Sequence, residues 1–176
     1  MKVVFFDLDL TKRRRAFPNL ALMKLSAFHR ARGDEIFFNF PLIQAEKIYA
    51  SCVFTWNAKQ ANSRFPPGTA MGGSGVDLHS ELPPEIEHIM PDYSLYPMDF
   101  SLGFTSRGCF RRCPWCIVPE KEGALKPWAS IYEFWERRHK KIVLLDNNLL
   151  AAPNWQTTFA ELIKEQVEVD FNQGLD

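Results

Sequence analysis

A chain of 176 residues leaves the domain count open between one good core and one small domain plus part of another. Hydrophobic residues at 46% and charged residues at 24%, with 15 Phe and 5 Trp, describe a globular protein and exclude disorder over most of the length. Basic and acidic residues balance at 21 each, so no net field steers the chain toward nucleic acid or an anionic membrane.

The elements follow in chain order. Lys2 to Asp7 (KVVFFD) is β-branched and aromatic and predicts a strand buried on both faces, while Asp7 and Asp9 interrupt it before a signal-peptide core could form. The run Lys12-Arg13-Arg14-Arg15 reads as a solvated turn. Asn19 caps a predicted helix to about Arg32, and Gly33 stops it. Strands follow at Glu35 to Phe40 and Lys47 to Trp56, which makes a parallel α/β pattern with right-handed crossovers. Cys52, among Ala50, Ser51, Val53 and Phe54, reads as a small buried residue on the third of these strands. The run GTAMGGSG lacks both the dinucleotide spacing and the Gly-Lys-Ser/Thr ending of a phosphate cradle, so it reads as a loop. Glu85 to Pro97 reads as a linker.

The pattern then starts again. Strands are predicted at Ser101 to Thr105, Lys141 to Asp146 and Val167 to Phe171, with helices over Trp128 to Arg138 and Trp155 to Glu165. Such a βαβαβ run opens either a barrel or an open parallel sheet. Arg137-Arg138-His139-Lys140-Lys141 reads as a second solvated basic run. No stretch approaches the roughly 20 apolar residues of a membrane span. With no secretory signal and with clustered thiols, a reducing, cytoplasmic setting is expected, in which the cysteines serve as metal ligands rather than as disulfides.

Three of the four cysteines lie in GCFRRCPWCIVP, spaced Cys109-x-x-x-Cys113-x-x-Cys116 in the loop after a strand. A closed zinc site wants a fourth Cys or His, and neither His88 nor His139 stands at a conventional spacing. A [4Fe-4S] cluster normally takes four thiolates, so three leave one iron open to a ligand.

This motif after the first strand of a βα repeat resembles the radical S-adenosylmethionine (SAM) superfamily, whose members usually carry an aromatic residue before the last cysteine, here Trp115. The segments KVVFFDLD, FPNLALMKLSAFHRARGD, YASCVFTWN, GFTSRGC and IVLLDNN extend the resemblance to its uncharacterised iron-sulfur oxidoreductases with an N-terminal Rossmann-like domain. The resemblance implies an α/β chain. A Rossmann-like parallel-sheet domain over 1–90 would precede the first half of a partial (β/α)6 barrel over 91–176. It further implies that Cys109, Cys113 and Cys116 ligate a [4Fe-4S] cluster whose open iron chelates SAM. One electron then cleaves SAM to methionine and a 5′-deoxyadenosyl radical that abstracts hydrogen from a substrate the sequence does not name. The electron donor would be a flavodoxin or a ferredoxin. Trp115 would lie against the adenine. Asp146 and Asn147, after the second barrel strand, would meet the SAM amino group, although the usual Gly-Gly-Glu is missing there and both residues read equally as caps of a turn.

The sequence departs from the pattern in three ways. The family's barrel has six βα units and this chain ends at its third strand, so it is expected to be a piece of a longer protein. No Asp-x-His-x-x-Gly is present, and His29 and His79 read as core or surface histidines, so no cobalamin is expected. With only Cys52 in the first domain, a second cluster is not expected either. The rival reading is a non-catalytic α/β binding module whose cysteine loop is stapled by zinc or an iron-sulfur cluster.

Overall fold

The structure, a computed structural model, describes residues 1–10, 17–40 and 44–175, and for 60–63 the backbone alone. The basic run 12–15 lies outside the described residues. The chain is mixed α/β and divides into two compact units, Met1–Tyr96 and Pro97–Asp176. Among the described residues, no helix is long and apolar enough to cross a membrane.

The first unit runs β1 (Lys2–Asp7), α1 (Leu20–Ala31), β2 (Glu35–Phe38), β3 (Lys47–Ser51), α2 (Thr55–Arg64), β4 (Ala70–Gly72) and the single turn α3 (Pro84–Glu87). Its sheet is parallel throughout, in the order β2-β1-β3-β4. Strand β1 is central and buried on both faces. Val4 and Phe6 pack with Ala50, Phe65 and Met71, while Phe5 stacks on Tyr49 and meets the edge of His29 on α1. Burying each such side chain contributes about 1.5–3 kcal/mol, which is why an apolar run without alternation becomes the middle strand. Asn19 caps α1 by accepting from the Leu22 N–H at 3.2 Å.

Two expectations differ here. The third strand stops at Ser51, and the chain turns into α2 instead of continuing to Trp56. A partner far away in sequence holds this turn: the Asp9 carboxylate accepts from the Val53 N–H at 2.6 Å and from Asn57 Nδ2 at 2.8 Å, fixing the chain between β3 and a helix whose own N-cap, Phe54, makes no side-chain cap. The expected linker 85–97 is instead packed down, with Tyr93, Leu95 and Tyr96 buried. Lys24 on α1 pairs with Glu87 at 2.8 Å, and Asp92 takes Ser26 Oγ and Arg30 Nε at 2.6 Å each. The glycine-rich run serves close backbone approach. Gly73 has φ +93, and a Cβ there would overlap the Cys52 carbonyl, to which Gly75 N–H donates at 2.9 Å.

The second unit runs β5 (Phe100–Gly103), β6 (Ser106–Arg107), α4 (Val118–Lys121), β7 (Lys126–Pro127), β8 (Lys141–Leu144), α5 (Trp155–Glu165) and β9 (Glu168–Phe171). Strands β5, β8 and β9 form a parallel sheet in that order, and β6 with β7 forms a short antiparallel ribbon. The core gathers Ile142 and Leu144 of β8, Leu162 of α5 and the connecting Ile131, Phe134 and Trp135. The helix expected over Trp128 to Arg138 is reduced to a 3-10 turn, Ile131–Glu133. A side chain from β5 engages its backbone, Glu136 N–H donating to Ser101 Oγ at 2.9 Å, while the segment's own Trp135 indole donates to the His139 carbonyl at 3.0 Å. His139 is therefore buried, while the cations around it pair with acids, Arg137 with Glu165 at 3.2 Å and Lys141 with Asp170 at 2.9 Å.

Candidate functional site

The cysteine loop leaves the carboxyl end of β5, the edge where parallel α/β proteins gather functional groups. Its base is closed by the β6/β7 ribbon and by Trp128 N–H donating to the Thr105 carbonyl at 2.9 Å, a closure that carries no local sequence signal. Residues 108–125 thus form one excursion with fixed ends.

Asp146, after β8, is 2% exposed and holds the start of that excursion. Its carboxylate accepts from the Thr105 N–H at 3.1 Å, Thr105 Oγ1 at 2.8 Å and Ser106 Oγ at 2.6 Å, as well as from the Ser106 N–H. A buried carboxylate is tolerated only when its lone pairs are filled in this way. Asn147 reaches the loop through Glu122, donating to its Oε2 at 2.9 Å, where the Gly108 N–H also donates at 2.9 Å. Gly108 has φ +82, and a Cβ there would overlap the Ala124 carbonyl, so only glycine brings the loop's two ends together. Arg107 bonds Glu122 Oε1 at 3.2 Å and lies 3.6 Å over the Phe104 ring.

Between those ends stand the three thiols. All are free, Cys109 and Cys113 half-buried and Cys116 exposed. The Cys116 N–H donates to the Cys113 carbonyl at 3.0 Å in a tight turn that presents Trp115, 85% exposed, to solvent. Phe110 and Ile117 are exposed beside it. Trp115 therefore makes no core contact that would explain an aromatic there. Lys121, at the end of α4, is half-buried, and desolvation together with the Arg107 charge pulls its ammonium below the usual lysine range.

The donor set fits a soft metal or an iron-sulfur cluster: three unpaired thiols on one loop with no disulfide among them. Among the described residues, no three His, Cys, Asp or Glu side chains converge on a common point. The fit is one of donor chemistry and chain position. In the first unit, Cys52 is wholly buried, its thiol 3.2 Å from the Phe54 carbonyl, and burial raises it above the usual thiol range. His29 bonds Asp34 at 2.7 Å through Nδ1 and Tyr49 Oη at 3.1 Å through Nε2. Sequence reasoning missed Glu122, Arg107 and Thr105, whose partners are distant in the chain. Comparison with protein-family models, with curated proteins and with solved structures finds no match.

Proposed function

We propose that this chain is a radical SAM iron-sulfur protein in which Cys109, Cys113 and Cys116 hold a [4Fe-4S] cluster with one iron left to SAM. The observation that carries the reading is the position of a three-thiol, free-cysteine loop at the carboxyl end of the first strand of a parallel sheet. When bound, such a cluster supplies the electron that cleaves the SAM sulfonium, giving methionine and a 5′-deoxyadenosyl radical for hydrogen abstraction.

The chain's own residues orient and support. Asp146 and Glu122 hold the loop's ends, Trp115 offers a free ring face for adenine, and Lys121 supplies a partly desolvated cation near the loop. The sequential order β5-β8-β9 supports a half barrel, and the order β2-β1-β3-β4 supports a Rossmann-like first domain. Both ring nitrogens of His29 hold protein partners, so that histidine is occupied as a core residue. The electron donor would be a flavodoxin or ferredoxin in a reducing cytoplasm.

A second reading, a non-catalytic module stapled by zinc or an iron-sulfur cluster, is favoured by the exposed Phe110, Trp115 and Ile117 around the thiols. One experiment separates the two. Anaerobic reconstitution is expected to give a brown protein with about four irons per chain, lost in Cys113→Ala, and reductant plus SAM is expected to yield 5′-deoxyadenosine. A colourless protein holding zinc would overturn the first reading, and iron uptake without 5′-deoxyadenosine would favour the second.

A further inference from the structure

Glu122 follows the short helix α4, and its side chain is 11% exposed. Its two oxygens are filled from separate parts of the second unit: Arg107 and Gly108 at the start of the cysteine loop, and Asn147 beyond the end of β8. Cys109 is the next residue after Gly108, and its own N–H reaches the Gly123 carbonyl at 3.4 Å, next to Glu122 in the chain. A single carboxylate thus joins the first thiol's backbone, the loop's return and the neighbouring strand's end.

We propose that Glu122 is the positioning residue of the cysteine loop, its carboxylate holding Cys109 in one place relative to β8. What the thiols bind rests on the reading above; the clamp itself does not. A carboxylate is the group this position requires. Both oxygens accept, so a glutamine must turn its NH2 either toward Gly108 and Asn147 or toward Arg107, and in each orientation donor faces donor. Loss of the anion also removes the charge that Arg107 bonds at 3.2 Å.

The test uses the full chain, reduced and metal-free, with iodoacetamide as probe. Trypsin cuts after Arg107, Arg111, Arg112 and Lys121, which separates Cys109 from Cys113 and Cys116 for mass spectrometry. In Glu122→Ala the alkylation rate at Cys109 is expected to rise about tenfold, as loss of a charge-assisted bond allows, while Cys52 in the first unit stays protected. Glu122→Gln is expected to follow Glu122→Ala. Asn147→Ala removes one donor only and is expected to give a smaller rise, which keeps the test alive if the Glu122 variants do not fold. After anaerobic reconstitution, Glu122→Ala is expected to retain iron roughly tenfold less well and to show an altered electron paramagnetic resonance signal. Unchanged Cys109 labelling in folded Glu122→Ala and in Asn147→Ala would overturn the clamp. Iron uptake with wild-type labelling and resonance in these variants sinks the clamp and spares the metal reading. Faster labelling in a chain that takes up no iron does the reverse.

Discussion

Asp7 ends β1 with its side chain 5% exposed, accepting from Tyr96 Oη at 2.7 Å and from the Asp9 N–H at 3.0 Å. Burial raises its carboxyl above the usual range against the pull of those bonds, and the nearby Asp9 charge adds to the rise. The folded chain therefore holds this proton more tightly than the unfolded chain does. The corresponding stabilisation is present below the unfolded value and is lost as pH rises through the folded one. Asp7→Asn cannot ionise, so its stability relative to wild type is expected to improve as pH climbs from the acid side of the carboxylate range to neutrality. Urea titrations of both proteins at a series of pH values check this, and a growing penalty for the variant would show that the structure stabilises the anion. Trp115 is the opposite case. With 85% of its surface in water it has little packing to lose, so Trp115→Ala is expected to stay within about 0.5 kcal/mol of wild-type stability. If the ring carries adenine, the same variant weakens SAM binding to the reconstituted protein by about 1–3 kcal/mol, read by calorimetry.

Among the elements, α5 shows how a helix can end without glycine. It stops at Glu165, and Gln166 takes the left-handed conformation, φ 52 and ψ 36, with its N–H on the Ile163 carbonyl at 3.2 Å. A side chain pays for that conformation and glycine does not, so Gln166→Gly is expected to stabilise the second unit by about 0.5–1 kcal/mol in urea unfolding. A loss would mean that the Gln166 side chain holds contacts worth more than the strain. Elements decided by near neighbours were legible: α1 between Asn19 and Gly33, α5 from its apolar period, and β1 and β8 from unbroken apolar runs. Those decided by distant partners were not. The turn from β3 into α2 is tied to Asp9, 44 residues from Val53, and the Glu136 N–H is taken by Ser101, 35 residues away, partners that no local window contains.

The same division by distance holds for the candidate site in the whole chain. The thiols were legible because all three lie in one loop, whereas Glu122 was not, its partners Gly108 and Asn147 standing 14 and 25 residues away. Asp146 was legible as a candidate but not in its partners, since nothing in the spacing ties it to Thr105 and Ser106. The thiols and the core beneath them belong to one unit, Pro97–Asp176, and this makes metal binding a stability measurement. A ligand that binds only the folded loop stabilises it by RT ln(1 + [L]/Kd), about 2.7 kcal/mol at a hundredfold excess over Kd. Four of the five tryptophans, buried Trp135 among them, lie in this unit, so fluorescence chiefly reports its unfolding, and buried Cys52 reports the first unit's opening by alkylation of the same sample. Reconstitution is expected to move the fluorescence transition to higher denaturant, and Cys113→Ala is expected to remove the shift. A shift read at Cys52 and not in the fluorescence would place the metal outside the cysteine loop, in a unit that carries one thiol, already bonded to the Phe54 carbonyl.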